Sequence, residues 1–255
     1  MAVITALGIG GGFLPSIWAK SSQHLTKLSY ANCFSGALFL ALSFEFYAES
    51  EEMFEETRLG DSAFPFAMAF AVFAILLILI CDIFAHNHEI SLDSEPSSND
   101  TKTPPLALAL LLSIHALIEG AYLGSVVGTN FITVFIAISS HQFSESFALG
   151  AALVKSNLKS REYLTYIVVL ALATPVGQLI GLLFSTVFTS EVSTLFAAIF
   201  SSLGSGTFIY VALAEILHPE LAKKATKREK FIKIGFCAFG FISVLFIIMA
   251  LEFVE

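Results

Sequence analysis

Two places in this chain put a histidine four residues before a glutamate, His115 with Glu119 and His141 with Glu145. In a helix four residues advance the chain by about 6 Å and return it to the same face. Each pair therefore offers an imidazole nitrogen and a carboxylate oxygen to one point in space. Such a donor set suits a hard-to-borderline divalent ion, and two carboxylates cancel its charge. Both pairs lie in apolar sequence: Leu106–Leu153 reads as two hydrophobic segments parted by the turn-like Gly128-Thr129-Asn130. A turn this short predicts antiparallel neighbouring helices. Counted outward from Thr129, the four positions lie about 10 to 16 residues deep, a spread near 9 Å at ~1.5 Å per residue, at the middle of a bilayer. A charge there costs about 2.5–3.5 kcal/mol. Two such glutamates, each with its histidine, are read as metal ligands rather than as hydrogen-bonding ties between helices.

The elements that must hold these residues follow from composition. Of 255 residues 56% are hydrophobic and only 13% charged, and the mean hydropathy is +0.82, outside the range of soluble domains. The expected fold is all-α, a polytopic membrane protein of eight transmembrane helices in a bundle with both termini outside, forming one domain over 1–255. Apolar runs of spanning length occur at 2–18, 31–50, 63–85, 105–128, 130–154, 163–188, 193–217 and 231–253. The first lacks a basic stretch ahead of its apolar run, so it is read as a short span, with the completeness of its beginning left open, rather than as a secretion signal. The net charge of −8 comes with no basic patch interleaved with aromatics, so nucleic acid is not an expected partner. The partners expected are the lipid bilayer and divalent metal ions. Cys33, Cys81 and Cys237 stand singly in apolar segments and are read as small core residues. The 26 phenylalanines are read as lipid-facing surface.

Basic residues assign the loops to sides. With both ends outside, Lys20, Lys27, Lys102, Lys155, Lys159, Arg161, Lys223, Lys224, Lys227, Arg228, Lys230 and Lys233 all fall on the inner side and Arg58 alone on the outer, the bias that cytoplasmic loops carry. The outer loop between spans two and three gathers Glu49, Glu51, Glu52, Glu55, Glu56 and Asp61, acids that raise the local cation concentration at a mouth. The inner connection at 86–104 is polar and rich in Ser and Pro, with His86 and His88 as weak metal candidates. Gln142, Glu45 and Glu215 are the weaker candidates within the membrane. Small residues repeat every four positions at Ala116, Gly120, Gly124 and Gly128 and at Ser140, Ser144, Ala148 and Ala152, marking faces of close helix packing. Thr174-Pro175 predicts a break near the middle of span six.

On these residues the chain resembles the Zrt/Irt-like protein family, the ZIP metal transporters. Its fourth-span pattern, His-(Ser/Asn)-x-x-(Glu/Asp)-Gly, is matched by His115-Ala116-Leu117-Ile118-Glu119-Gly120, and its fifth-span pattern by His141-Gln142-Phe143-Ser144-Glu145-Ser146-Phe147-Ala148-Leu149-Gly150. Ala173–Gly177 and Gly206–Leu217 look like the family's sixth and seventh spans, and Ser35–Ala41 like its second, with Phe46 where a histidine is usual. The resemblance implies eight helices, outside termini, a variable inner loop and movement of divalent metal into the cytosol. It admits a homodimer, and places the protein in the plasma membrane first and an internal membrane second. Some members hold a second ion through polar residues at the positions of Ala116, Gln142 and Thr174. Ala116 has no donor atom and the other two are neutral, so one ion per chain is expected.

The function expected is transport of a divalent transition metal, zinc first and iron or manganese next, with the ion as substrate. The alternative is a metal-dependent membrane enzyme using the same cluster. Di-iron oxidases need Glu-x-x-His with bridging glutamates and intramembrane proteases His-Glu-x-x-His, and the chain has neither pattern.

Overall fold

The computed structural model describes residues 1–18, 24–90, 105–126, 129–155 and 158–252, helical nearly throughout and without a strand among the described residues. The helices are α1 (Ala2–Trp18), α2 (His24–Glu55), α3 (Phe66–Ile90), α4 (Pro105–Ser125), α5 (Thr129–Lys155), α6 (Ser160–Val187), α7 (Ser190–Tyr210), α8 (His218–Ala222) and α9 (Lys227–Glu252). A π-helical stretch, Val211–Leu217, joins α7 to α8 without interruption, so the described chain forms eight rods. By length and composition, Thr26–Glu55, Leu108–Ser125, Ser160–Val187, Glu191–Ala222 and Lys227–Met249 are each able to cross a bilayer, with Ala2–Trp18 and Phe66–Ile80 as shorter apolar helices. The outer faces are made of side chains such as Leu179, Leu183, Phe231 and Phe246, all exposed. In water so continuous an apolar surface is a liability; against lipid tails it is solvated like with like. The protein is an all-α polytopic membrane protein.

The helices sort by their closest neighbours. α4 lies along α6 and α1 along α5, while α2 packs on α7 and α9, and α3 on α7. The short turn therefore does not make α4 and α5 each other's main partner. They touch over a shorter stretch, because glycine takes each of them closer to another helix. A Cβ on Gly120 or Gly124 of α4 would strike the α6 backbone at Thr174 or Gln178, and one on Gly177 or Gly181 of α6 would strike the α4 backbone at Leu117 or Ala121. With no hydrophobic driving force between helices in lipid, such backbone-to-backbone approach maximises dispersion contacts. α1 approaches α5 in the same way, Gly11 against the Phe143 backbone and Gly150 against that of Gly12. The Tyr163 hydroxyl of α6 also donates to the Gly12 carbonyl at 2.5 Å, so α1 is fully part of the bundle.

Several sequence expectations change here. The acidic segment after position 50 is not a loop: α2 runs on to Glu55, and Thr57 caps a 3₁₀ turn at Arg58–Asp61. α3 continues through His86 and His88 to Ile90; residues 91–104 of the expected inner loop lie outside the described residues, as do Lys20 and the side chains of His86, His88 and Cys81. α6 is unbroken at Pro175. Proline removes the donor that would meet the Ala171 carbonyl one turn back, and α1 and α4 both pack against the helix. Cys33 is buried and Cys237 half-buried, both as free thiols.

The glycine contacts make a sharp stability prediction. Gly177→Val puts a branched side chain into the α4 backbone, an overpacking cost of about 1–3 kcal/mol or more, and the solubilised protein should aggregate or lose its monodisperse elution. Gly235→Val faces open space and should elute and melt like the parent.

Candidate metal centre

His115 and Glu119 project from α4, and His141 and Glu145 from α5. Their i, i+4 spacing stacks each pair on one face, and the structure brings the pairs together. One ligand atom from each of the four lies within 4.8 Å of the other three. The axial spread of about 9 Å counted from residue positions is taken up by the reach of the side chains. All four are buried, His141 and Glu145 completely.

The contacts inside this cluster are of an unusual kind. Glu119 Oε1 is held between two imidazoles, 2.9 Å from His115 Nε2 and 2.8 Å from His141 Nε2. Glu145 Oε1 lies 3.4 Å from His115 Nε2. On its far side His115 Nδ1 meets Thr207 Oγ1 at 2.9 Å, while the same hydroxyl donates to the Gly204 carbonyl at 2.7 Å. A hydroxyl has one hydrogen. With it given to Gly204, Thr207 accepts, His115 carries its proton on Nδ1, and Nε2 turns a lone pair toward two carboxylate oxygens. Neither oxygen is in hydrogen-bond geometry to it, and His115 Nε2, Glu119 Oε2, His141 Nδ1 and both oxygens of Glu145 lack hydrogen-bond partners. Lone pairs facing one another in a water-free core repel unless a cation or a proton stands between them.

Aromatic rings wall this core. Phe208 of α7 lies 3.8 Å from the His115 ring, centroid to centroid, and Phe46 of α2 meets His141 edge-on at 5.8 Å. Phe46 and Phe208 stack at 5.7 Å, and Phe39 stacks on Phe208 at 5.1 Å. So although many phenylalanines do face outward, these three do not; they exclude water from the cluster. Gly204 makes room for the His115 ring, since a Cβ there would stand 3.3 Å from Cε1.

The remaining candidates stand apart. Gln142 is buried beside the cluster, its Oε1 accepting from the Thr174 hydroxyl at 3.1 Å while its Nε2 has no partner. Glu45 and the π-helical Glu215 are half-buried and belong to no group of three or more metal-binding side chains among the described residues. Sequence reasoning gave no role at the site to Gly204, Thr207 and Phe208, although the last two lie in the family-like stretch Gly206–Leu217. The one signal for them was Gly204-Ser205-Gly206-Thr207, a run of small and polar residues in an otherwise apolar span.

Comparison with known proteins agrees with this architecture. Residues 87–248 match the family described as ZIP Zinc transporter. Zinc transporter ZIP1 of Danio rerio is 26% identical over 275 residues, covering 90% of this chain and 89% of its own length. Its namesake in Takifugu rubripes is 27% identical over 283 residues, covering 92% of each. Protein zntD of Dictyostelium discoideum is 35% identical over 124 residues, 46% of this chain and 18% of its own. The chain belongs to the ZIP zinc transporter family, and it is accordingly an integral membrane transporter of metal ions rather than an enzyme.

Proposed function

We infer that the transported ion is zinc, ahead of iron or manganese, that it is held between α4 and α5 by His115, Glu119, His141 and Glu145, and that it moves toward the cytosol. The observation that carries this reading is the convergence of one buried ligand atom from each of the four within 4.8 Å of the others, with His115 Nε2 2.9 and 3.4 Å from the Glu119 and Glu145 oxygens. A tetrahedral ion with bonds of ~2.0–2.1 Å keeps its ligand atoms about 3.3–3.4 Å apart, so small side-chain adjustments convert the repulsion into coordination. Zinc leads because mixed imidazole and carboxylate donors suit it, and relatives over most of the chain carry zinc in their names.

The remaining residues do the rest of the work. Thr207 fixes the His115 tautomer, as hydrogen-bonding partners behind metal-ligating histidines do. Phe46 and Phe208 keep water out, which strengthens every charge interaction within. The direction rests on the basic residues: Lys27, Lys159, Arg161, Lys223, Lys224 and Lys230 are exposed near the helix ends assigned to the inside, which supports outside termini and eight spans over a single 1–255 unit. The plasma membrane is the first expected location. One ion per chain is supported by Ala116, which has no donor atom, and by Gln142 and Thr174, which are neutral and bonded to each other.

Three outcomes test this. Replacing His115 or Glu145 with Ala should abolish zinc uptake at unchanged surface abundance; uptake at the parent rate by either variant would remove the site assignment. Thr207→Val should weaken zinc binding by roughly 10–100-fold while Thr207→Ser preserves it, measured by equilibrium dialysis of the solubilised protein. Zinc content should approach one per chain and stay there on Gln142→Ala; a value of two that falls to one would show that neutral donors hold a second ion.

A further inference from the structure

Above the four-residue cluster one contact ties α2 to α4: the Tyr122 hydroxyl donates to the Glu49 carboxylate. Its depth follows from the sequence. Phe46 touches both histidines, and Glu49 is three residues farther toward the end of α2 assigned to the outside. Glu119 is a cluster member, and Tyr122 is three residues farther toward the same side along α4. Both partners therefore stand about one helical turn, ~4.5 Å, outward of the cluster. They bridge the helix that supplies the aromatic wall and the helix that supplies His115 and Glu119.

Glu49 also belongs to a line of acids. Glu45, Glu49, Glu52 and Glu56 recur at spacings of four, three and four, which keeps them on one face of α2. Glu52 and Glu56 are exposed, Glu49 is half-buried and Glu119 is buried. The charges of Glu45, Glu52 and Glu119 all bear on Glu49, and that of Glu56 bears on Tyr122. A carboxylate among like charges, partly removed from water, is a poor place for an anion and a favourable one for a cation. In this structure its compensating partner is a phenol hydrogen, a neutral donor that a divalent ion outcompetes.

We propose that Tyr122 and Glu49 form the outer gate of the ion path: an incoming divalent ion displaces the Tyr122 hydroxyl from the Glu49 carboxylate, the link between α2 and α4 opens, and the ion passes inward to Glu119. Until then the hydrogen bond keeps the two helices joined over the cluster. Glu49 captures, and Tyr122 competes with the ion for it. This rests on the reading that the four-residue cluster is the transport site and that α2 ends outside.

The two roles have opposite kinetic signs, which a merely structural tie does not. Initial zinc uptake by intact cells is measured against zinc concentration for Glu49→Gln and Tyr122→Phe, with His115→Ala as the control for the central site. Glu49→Gln keeps an acceptor for the phenol but loses the charge, so KM should rise roughly tenfold with the maximal rate much less affected. Tyr122→Phe removes the competitor, so KM should fall. Zinc binding to the solubilised protein at the central site should be unchanged in both. If both variants move KM in the same direction, or neither moves it, while His115→Ala abolishes uptake, the gate is wrong and the central site stands. Uptake by His115→Ala at the parent rate would instead remove the central-site reading on which the gate depends. Should Glu49→Gln fail to reach the surface, Tyr122→Phe decides alone: a lower KM supports the gate, an unchanged or higher one overturns it.

Discussion

The rest of this molecule is arranged around four buried ligand atoms that lie within 4.8 Å of one another. His115 Nε2, fixed by the Thr207 hydrogen bond behind it, points its lone pair at carboxylate oxygens of Glu119 and Glu145, in a core from which phenylalanine rings exclude water. A buried acceptor facing acceptors is among the least favourable arrangements a protein can hold. The backbone around the cluster is held by close helix packing.

That packing has a simple source. Lipid tails compete well with any apolar side chain, so helices in a bilayer are held by close approach and by polar ties. Here glycine supplies the approach between α4 and α6 and between α1 and α5, bringing backbones into direct contact. Each ligand-bearing helix is clamped from behind by a helix that contributes no ligand. A second set of ties lies toward the inner end, where buried Glu220 accepts from Ser29 at 2.7 Å and Asn32 at 2.8 Å and joins α8 to α2. Lys233 of α9 reaches the Glu220 carbonyl at 2.5 Å. The ligand helices are fixed by shape and the surrounding ones partly by charge.

How much of this the sequence disclosed depends on the range over which each feature is determined. The two His-x-x-x-Glu pairs were legible because a helical period is a local property, and burial in apolar sequence was legible because the cost of a charge in lipid is large. The identity of neighbours was not. A short turn suggested that α4 and α5 are neighbours, as they are over a short stretch, but it said nothing of α6, where Gly120 and Gly124 find their complement in Gly177 and Gly181, some sixty residues on. Thr207 and Phe208, though part of the family-like stretch Gly206–Leu217, were given no role at the cluster for the same reason, since nothing within α7 indicates that His115 will lie against it. The length of α2 was misjudged because glutamates after position 50 read as loop by hydropathy, although glutamate is a good helix former and α2 projects beyond its apolar stretch.

The pairing of two glutamates with two neutral imidazoles has a consequence for energy coupling. Under the ligand set proposed above, a divalent ion among them gives a formal charge of zero, whereas a monovalent ion leaves one negative charge and a trivalent ion one positive charge in a medium that tolerates neither. The core therefore weighs ions by valence before it weighs them by size. A core so loaded is electrically silent: the membrane voltage, which does about 2.3 kcal/mol of work per elementary charge for each 100 mV, has no net charge to act on there.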